Sequence, residues 1–180
     1  MALVGAGLVG YPFATDAWTD YVVQPRLSSE LRSADPVAYR AGSVPMSRAL
    51  TRMRIPALGI DTVVVEGVTV SALRAGAGHY PGTPLPGQPG NVAIAGHRTT
   101  YGGPFRDLDR LTTGDEIAFT TPLGVVRYRV TAEPFVVAPD DTRVVAPTGE
   151  PTLTLTTCHP LQSSRQRLIV QATLIGTALA

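Results

Sequence analysis

Three kinds of side chain in this sequence could do covalent or proton chemistry. They are one cysteine, Cys158, three histidines, His79, His97 and His159, and a closely spaced arginine pair, Arg165 and Arg167. A thiol becomes a nucleophile when a base or a cation populates its thiolate, and its attack on a carbonyl needs a donor for the oxyanion that forms. Imidazole and guanidinium supply those two needs, so every part of a cysteine acyl-transfer site is present by residue type. A lone cysteine is otherwise a small buried hydrophobe. Cys158, however, ends the alternating run Thr152-Leu153-Thr154-Leu155-Thr156 and enters a Cys-His-Pro turn, which places it at a rim. His97, in Ala95-Gly96-His97-Arg98, directly follows the run Asn91–Ala95. A glycine beside a strand-end histidine suits close approach of a substrate to the backbone, with an ordinary surface histidine as the plainer alternative.

Composition removes other chemistries. All 15 cations of the 180-residue chain are arginine, which excludes a lysine nucleophile or Schiff base. One cysteine excludes an intramolecular disulfide and a multi-cysteine metal site. Zinc held by His97, Cys158 and His159 would have adjacent ligands and no fourth, a poor geometry. Calcium would want a carboxylate cluster, whereas the paired acids are only Asp140-Asp141 and Asp115-Glu116. No metal or other cofactor is expected. The net charge of +1 is evenly spread and argues against nucleic acid as a partner.

The elements that position these residues are short. With 18 glycines and 16 prolines the chain is rich in turns. Between them lie apolar or alternating runs at 52–55, 62–68, 91–96, 116–121, 125–137, 152–157 and 167–176, the spacing of an antiparallel sandwich or closed barrel. Alternation puts Leu153 and Leu155 on the core face and the threonines on the other. Short helices are predicted at Val70–Ala75 and Pro104–Leu111, where Pro104 suits a first helical position. Helical turns are predicted around Trp18–Val23 and Leu27–Leu31.

Taken together, Pro86–Arg98 (PGQPGNVAIAGHR), Thr152–Pro160 (TLTLTTCHP) and Ser163–Val170 (SSRQRLIV) resemble the sortases, cysteine transpeptidases, and most closely the class E housekeeping type of high-GC Gram-positive bacteria. The resemblance covers about residues 50–176. It implies an all-β fold: a closed, mostly antiparallel eight-stranded barrel with short helices and an N-terminal appendage. It further implies Cys158 as nucleophile, His97 as general acid and base, and Arg167 as the oxyanion and substrate-positioning cation. Arg165 competes for the last role and, on an alternating strand, would share its face. Tyr80 stands where class E sequences carry a tyrosine, which implies selection of an L-A-x-T-G motif over L-P-x-T-G. Alanine has an N–H that proline lacks, and a tyrosine packed on Pro81 is the plainer alternative. Thr157 could line the groove or serve as a β-branched strand residue. His79 and His159 have structural readings.

The implied reaction cleaves the Thr–Gly bond of a C-terminal sorting signal on secreted proteins through a thioacyl intermediate, then transfers them to an amine of a peptidoglycan precursor. The expected organisation is an apolar segment at 1–13, with the remnant of a membrane anchor as one reading, a connector at 14–50 and a catalytic domain at 51–180. That places the protein at the cell membrane with its catalytic domain outside. The run from Ala2 to Phe13 is too short to span a bilayer as a helix, and a buried N-terminal segment is the alternative. Asp35-Pro36 is shared with the Asp-Pro-aromatic lid of pilus-polymerising sortases, but Val37 follows, and a connector is the reading preferred. A pilus-polymerising sortase and a non-enzymatic exported β-barrel binding module are the alternatives.

Overall fold

The turn-punctuated runs close into a barrel. The computed structural model describes residues 14–179, so the apolar run at 2–13 lies outside the described residues. Nine strands form one sheet: β1 (Ala49–Ile55), β2 (Ile60–Glu66), β3 (Ala77–His79), β4 (Asn91–Ala95), β5 (Glu116–Thr121), β6 (Gly124–Val130), β7 (Phe135–Val137), β8 (Thr152–His159) and β9 (Gln166–Leu179). Their order is β6-β5-β1-β2-β3-β4-β8-β9-β7, and a further β6–β9 pairing closes eight of them into a barrel, leaving β7 as an added ribbon on β9. Closure removes the unpaired edges that an open sheet would expose. The expected mostly antiparallel eight-stranded barrel is thus present. Two of its pairings, β2–β3 and β4–β8, are parallel.

The 14-residue β9 makes the closure possible. Its first half pairs with β8 from Gln166 to Thr173, and its second half pairs with β6 from Ala172 to Leu179. The predicted run 125–137 divides into β6 and β7 around Pro134, which cannot donate to a ladder. Inside the barrel Met53, Ile94, Phe119, Tyr128, Leu153 and Leu155 are all fully buried. Thr154 and Thr156 of β8 face the other way as expected, but they too are buried. The Thr154 hydroxyl bonds Asn91 Oδ1 and the Val144 carbonyl, both at 3.0 Å, because the 138–151 connection covers that face.

Residues 14–18 are helical and continue through a π turn, Thr19–Val23, into α1 (Gln24–Arg32). Pro25 has no N–H for the carbonyl one turn back, and the ladder widens just before it, with Gln24 N–H bonding Thr19 O. Leu27 of α1 packs on Ala49, Val63, Val65 and Ala72, so this segment seats on the outside of β1 and β2. Gln24 fixes it further: its amide bonds Val63 N–H at 2.7 Å and the Ala75 carbonyl at 2.8 Å. Asp35 caps α2 (Pro36–Arg40), accepting from Val37 N–H at 2.8 Å, and α2 buries Tyr39 against Leu50 and Leu85. The Asp-Pro pair is therefore a helix start. α3 (Val70–Arg74), capped by Thr69, ends one residue short of its predicted span.

The predicted helix at 104–111 is corrected: residues 104–107 form turns and only Leu108–Arg110 is a 3₁₀ helix. Buried Phe105, Leu108 and Leu111 recur every three residues, the 3₁₀ period, and bonds such as Arg106 N–H to Gly103 O span three.

Candidate active site

Strand register brings the reactive residues to one rim. β4 and β8 run parallel with Ala95 opposite Thr156, and Gly96 N–H extends the ladder to the Thr156 carbonyl at 3.2 Å. His97 stands two residues beyond Ala95 and Cys158 two beyond Thr156. On the other side of β8, antiparallel β9 places Arg167 directly opposite Cys158. Residues in register on adjacent strands share a face, so Arg167 lies beside Cys158, and His97 leaves the end of the neighbouring strand at the same level. Cys158, His97 and Arg167 are each half-buried, as a reactive rim requires.

Tyr80 joins them from the end of β3, its N–H bonded to the Ala93 carbonyl at 2.9 Å. Burial pushes its phenol above the ordinary value, the nearby Arg167 guanidinium pulls it back, and Cys158 adds to the rise. The phenol therefore stays protonated near neutral pH and is available as a donor. The His97 imidazole is held below its ordinary value, first by burial and then by the Arg74 cation, which favours the neutral ring. Its Nε2 is buried with no hydrogen-bond partner among the described residues. Among the described residues no group of three or more His, Cys, Asp or Glu could hold a metal ion. A half-exposed thiol beside a neutral imidazole and a permanent cation can carry out acyl transfer by general acid–base and covalent catalysis.

Residues 53–175 match the family model described as the Sortase domain. The chain belongs to the sortase family. It is 30% identical over 149 residues to Sortase SrtE1 of Streptomyces coelicolor, an alignment covering 74% of this chain and 42% of that protein. The chain spans about half the length of the curated relatives it matches, from 42% to 60%. Among solved structures it is similar to sortase E from Streptomyces avermitilis, with 38% identity, a TM-score of 0.69 and coverage of 75% of this chain and 93% of that one. It is also similar to a Sortase D5 transpeptidase of Clostridium perfringens, with 31% identity, a TM-score of 0.75 and coverage of 88% and 99%. Class E sortases thus stand prominently among its relatives, alongside other sortases.

The remaining residues of this sortase fall into distinct places. Thr157 is buried and its hydroxyl donates to the Gly96 carbonyl at 2.7 Å, so the hydroxyl pins the His97-bearing loop to β8. Arg165 lies in the exposed turn before β9, off the strand that was expected to align it with Arg167. Arg167 turns its Nη1 back onto the carbonyls of Ser164 and Gln166, at 2.9 and 3.0 Å. His79 is 1% exposed and bonds Glu66, Thr83 and the Pro84 carbonyl, which fixes the loop after Tyr80.

Sequence reasoning missed Arg98. It is 4% exposed, pairs with Asp109 at 2.7 Å, and donates to the Arg106 carbonyl at 3.1 Å and to His159 Nδ1 at 2.9 Å. Guanidinium has no lone pair, so Nδ1 of His159 is the acceptor and that nitrogen is not free to act as a base. Arg98 thereby locks the loop after His97 to the end of β8. Its position next to His97 was the available signal, but the partners are 11 and 61 residues away. Gly96 also meets a packing demand that its sequence context does not show: a Cβ there would lie 2.7 Å from the buried Phe105 ring.

Proposed function

We propose that this chain is a cysteine transpeptidase that cleaves the Thr–Gly bond of a C-terminal sorting signal, of the L-A-x-T-G or L-P-x-T-G type, on secreted proteins. The observation that carries the reading is the register alignment of His97, Cys158 and Arg167 on three neighbouring chain segments. The Cys158 thiol passes its proton to His97, and the thiolate attacks the threonine carbonyl. Charge collects on the carbonyl oxygen, where Arg167 donates; guanidinium stays charged at any working pH and can fork two bonds. His97, now protonated, gives its proton to the leaving glycine amine, and the C–N bond breaks to leave a thioester. An amine of a peptidoglycan precursor then loses a proton to His97 and displaces Cys158. Tyr80 donates to the motif, while Thr157 holds the loop and Arg165 stands at the groove mouth. The rim exposure of Cys158 favours this over an inert binding module.

The same reading places the protein at the membrane with its catalytic domain outside. Support comes from the apolar run at 2–13 and from the helix that follows it, where Trp18 is 61% and Tyr21 82% exposed, a composition suited to a bilayer interface. Among the described residues no helix is long and apolar enough to cross a membrane.

The test is turnover of fluorogenic L-A-x-T-G and L-P-x-T-G peptides by wild type and Cys158→Ala. Cleavage should be abolished in the variant; equal turnover by both would sink the mechanism.

A further inference from the structure

A catalytic imidazole needs something to hold its ring, and here it is not a hydrogen bond at Nε2, which is buried and has no partner among the described residues. What packs on the ring is Tyr101, four residues on, with centroids 5.3 Å apart and planes tilted by 37°, within the range of favourable aromatic pairs. Tyr101 itself stands in an unusual conformation. Its φ is 55°, followed by Gly102 at 78° and Gly103 at 45°, three left-handed residues in succession. A non-glycine residue keeps such a φ only where its surroundings over-determine it.

Those surroundings come from the N-terminal helical segment. Asp16 Oδ1 accepts from Gly102 N–H at 2.8 Å, and its other oxygen meets Arg106 at 3.5 Å. Thr15 Oγ1 accepts from Tyr101 N–H at 3.4 Å. A Cβ on Gly102 would lie 3.0 Å from Asp20, so helix and loop are in close contact. The same segment grips the other neighbour of the ring. Thr19 donates to the Arg74 carbonyl at 3.4 Å and Gln24 to the Ala75 carbonyl at 2.8 Å, while the Arg74 guanidinium sits 5.6 Å from the Tyr101 ring centre.

We infer that Tyr101 is a positioning residue for the His97 imidazole and that the N-terminal helical segment, through Asp16 and Thr15, holds Tyr101 in place. The inference rests on the reading of His97 as the acid and base of the transfer. Among the described residues, the groups that act on the imidazole are Tyr101 on its own loop and Arg74 at the end of α3. Residues outside the family-model match at 53–175 therefore complete the site.

The experiment pairs peptide kinetics with an NMR titration of His97 in the Cys158→Ala background, which needs no turnover. Tyr101→Phe keeps the ring and should stay within about twofold of wild type. Tyr101→Ala should lose about tenfold or more in kcat with KM nearly unchanged, because the ring of His97 is no longer held. Asp16→Ala should show a smaller loss of the same kind. In Tyr101→Ala and Asp16→Ala the His97 titration should move upward as water reaches the ring. An unmoved titration and unchanged kcat in Tyr101→Ala would overturn the inference, as would an equal loss in Tyr101→Phe. If Tyr101→Ala does not fold, Asp16→Ala decides alone, an unmoved His97 titration counting against the proposal. Turnover retained by His97→Ala would instead defeat the parent reading, and the titration would still report on positioning.

Discussion

Arg165 and Arg167 are two residues apart and chemically identical, and only their places in the fold distinguish them. Arg167 is opposite Cys158 on the ladder and acts on Tyr80, whereas Arg165 sits in the exposed turn before β9. Arg167→Ala is therefore expected to lower kcat/KM by about a hundredfold or more, the usual loss for an oxyanion donor, and Arg165→Ala by only a few-fold. Steady-state kinetics on one sorting peptide decides this, and the reverse order would reassign the cation. Tyr80→Phe removes the phenol donor and should narrow the preference for L-A-x-T-G over L-P-x-T-G by about tenfold, the worth of a hydrogen bond. A ratio of kcat/KM that stays put would reduce Tyr80 to a packing residue. At this scale much was legible: Cys158 and His97 each end an apolar run, and strand ends are where side chains meet solvent. What stayed illegible was partnership, because Thr157 and Gly96 meet across 61 residues.

At the scale of elements, the segment from His97 to Leu111 carries more of the site than its sequence suggested. Its residues 104–111 read as a short helix, because Pro104 suits a first helical position. Successive glycines at 102 and 103 with positive φ, and burial at every third position, select turns and a 3₁₀ helix instead. Arg98 clamps this segment to Asp109 and to His159 beside Cys158. Arg98→Ala leaves those groups without their donor and should cost about 2 kcal/mol in urea unfolding, with a matching fall in kcat. Arg98→Lys should recover little of either, because an ammonium cannot fork to three partners. Full stability in Arg98→Ala would mean the clamp is incidental.

Across the whole molecule, closure by β9 lets one strand build both the site and the barrel seam, and titration couples the site to stability. His97 binds its proton less readily folded than unfolded, so the unfolded chain protonates first. Stability from this source is complete above about pH 7 and falls as pH drops through about 6.5 toward the depressed folded value. Asp61, held below its ordinary value first by Arg52 and then by Arg54, acts in a lower window: its contribution is present above about pH 4 and lost below it. The unfolding free energy from urea titrations should therefore decline between pH 7.5 and 5.5 by less than about 1 kcal/mol, since the imidazole is half-exposed, and His97→Ala should flatten that decline. A slope unchanged by the substitution would refute the assignment. The sequence by itself determined the strand class, a turn-rich sandwich or barrel, and the residue types of the site, because alternation, turn signals and a single cysteine are local properties. Only the tertiary structure decided which arginine faces Cys158, that Arg98 and Tyr101 hold the His97 loop, and that an N-terminal helix reaches the site. Those depend on register and on contacts between segments tens of residues apart, which no local pattern encodes.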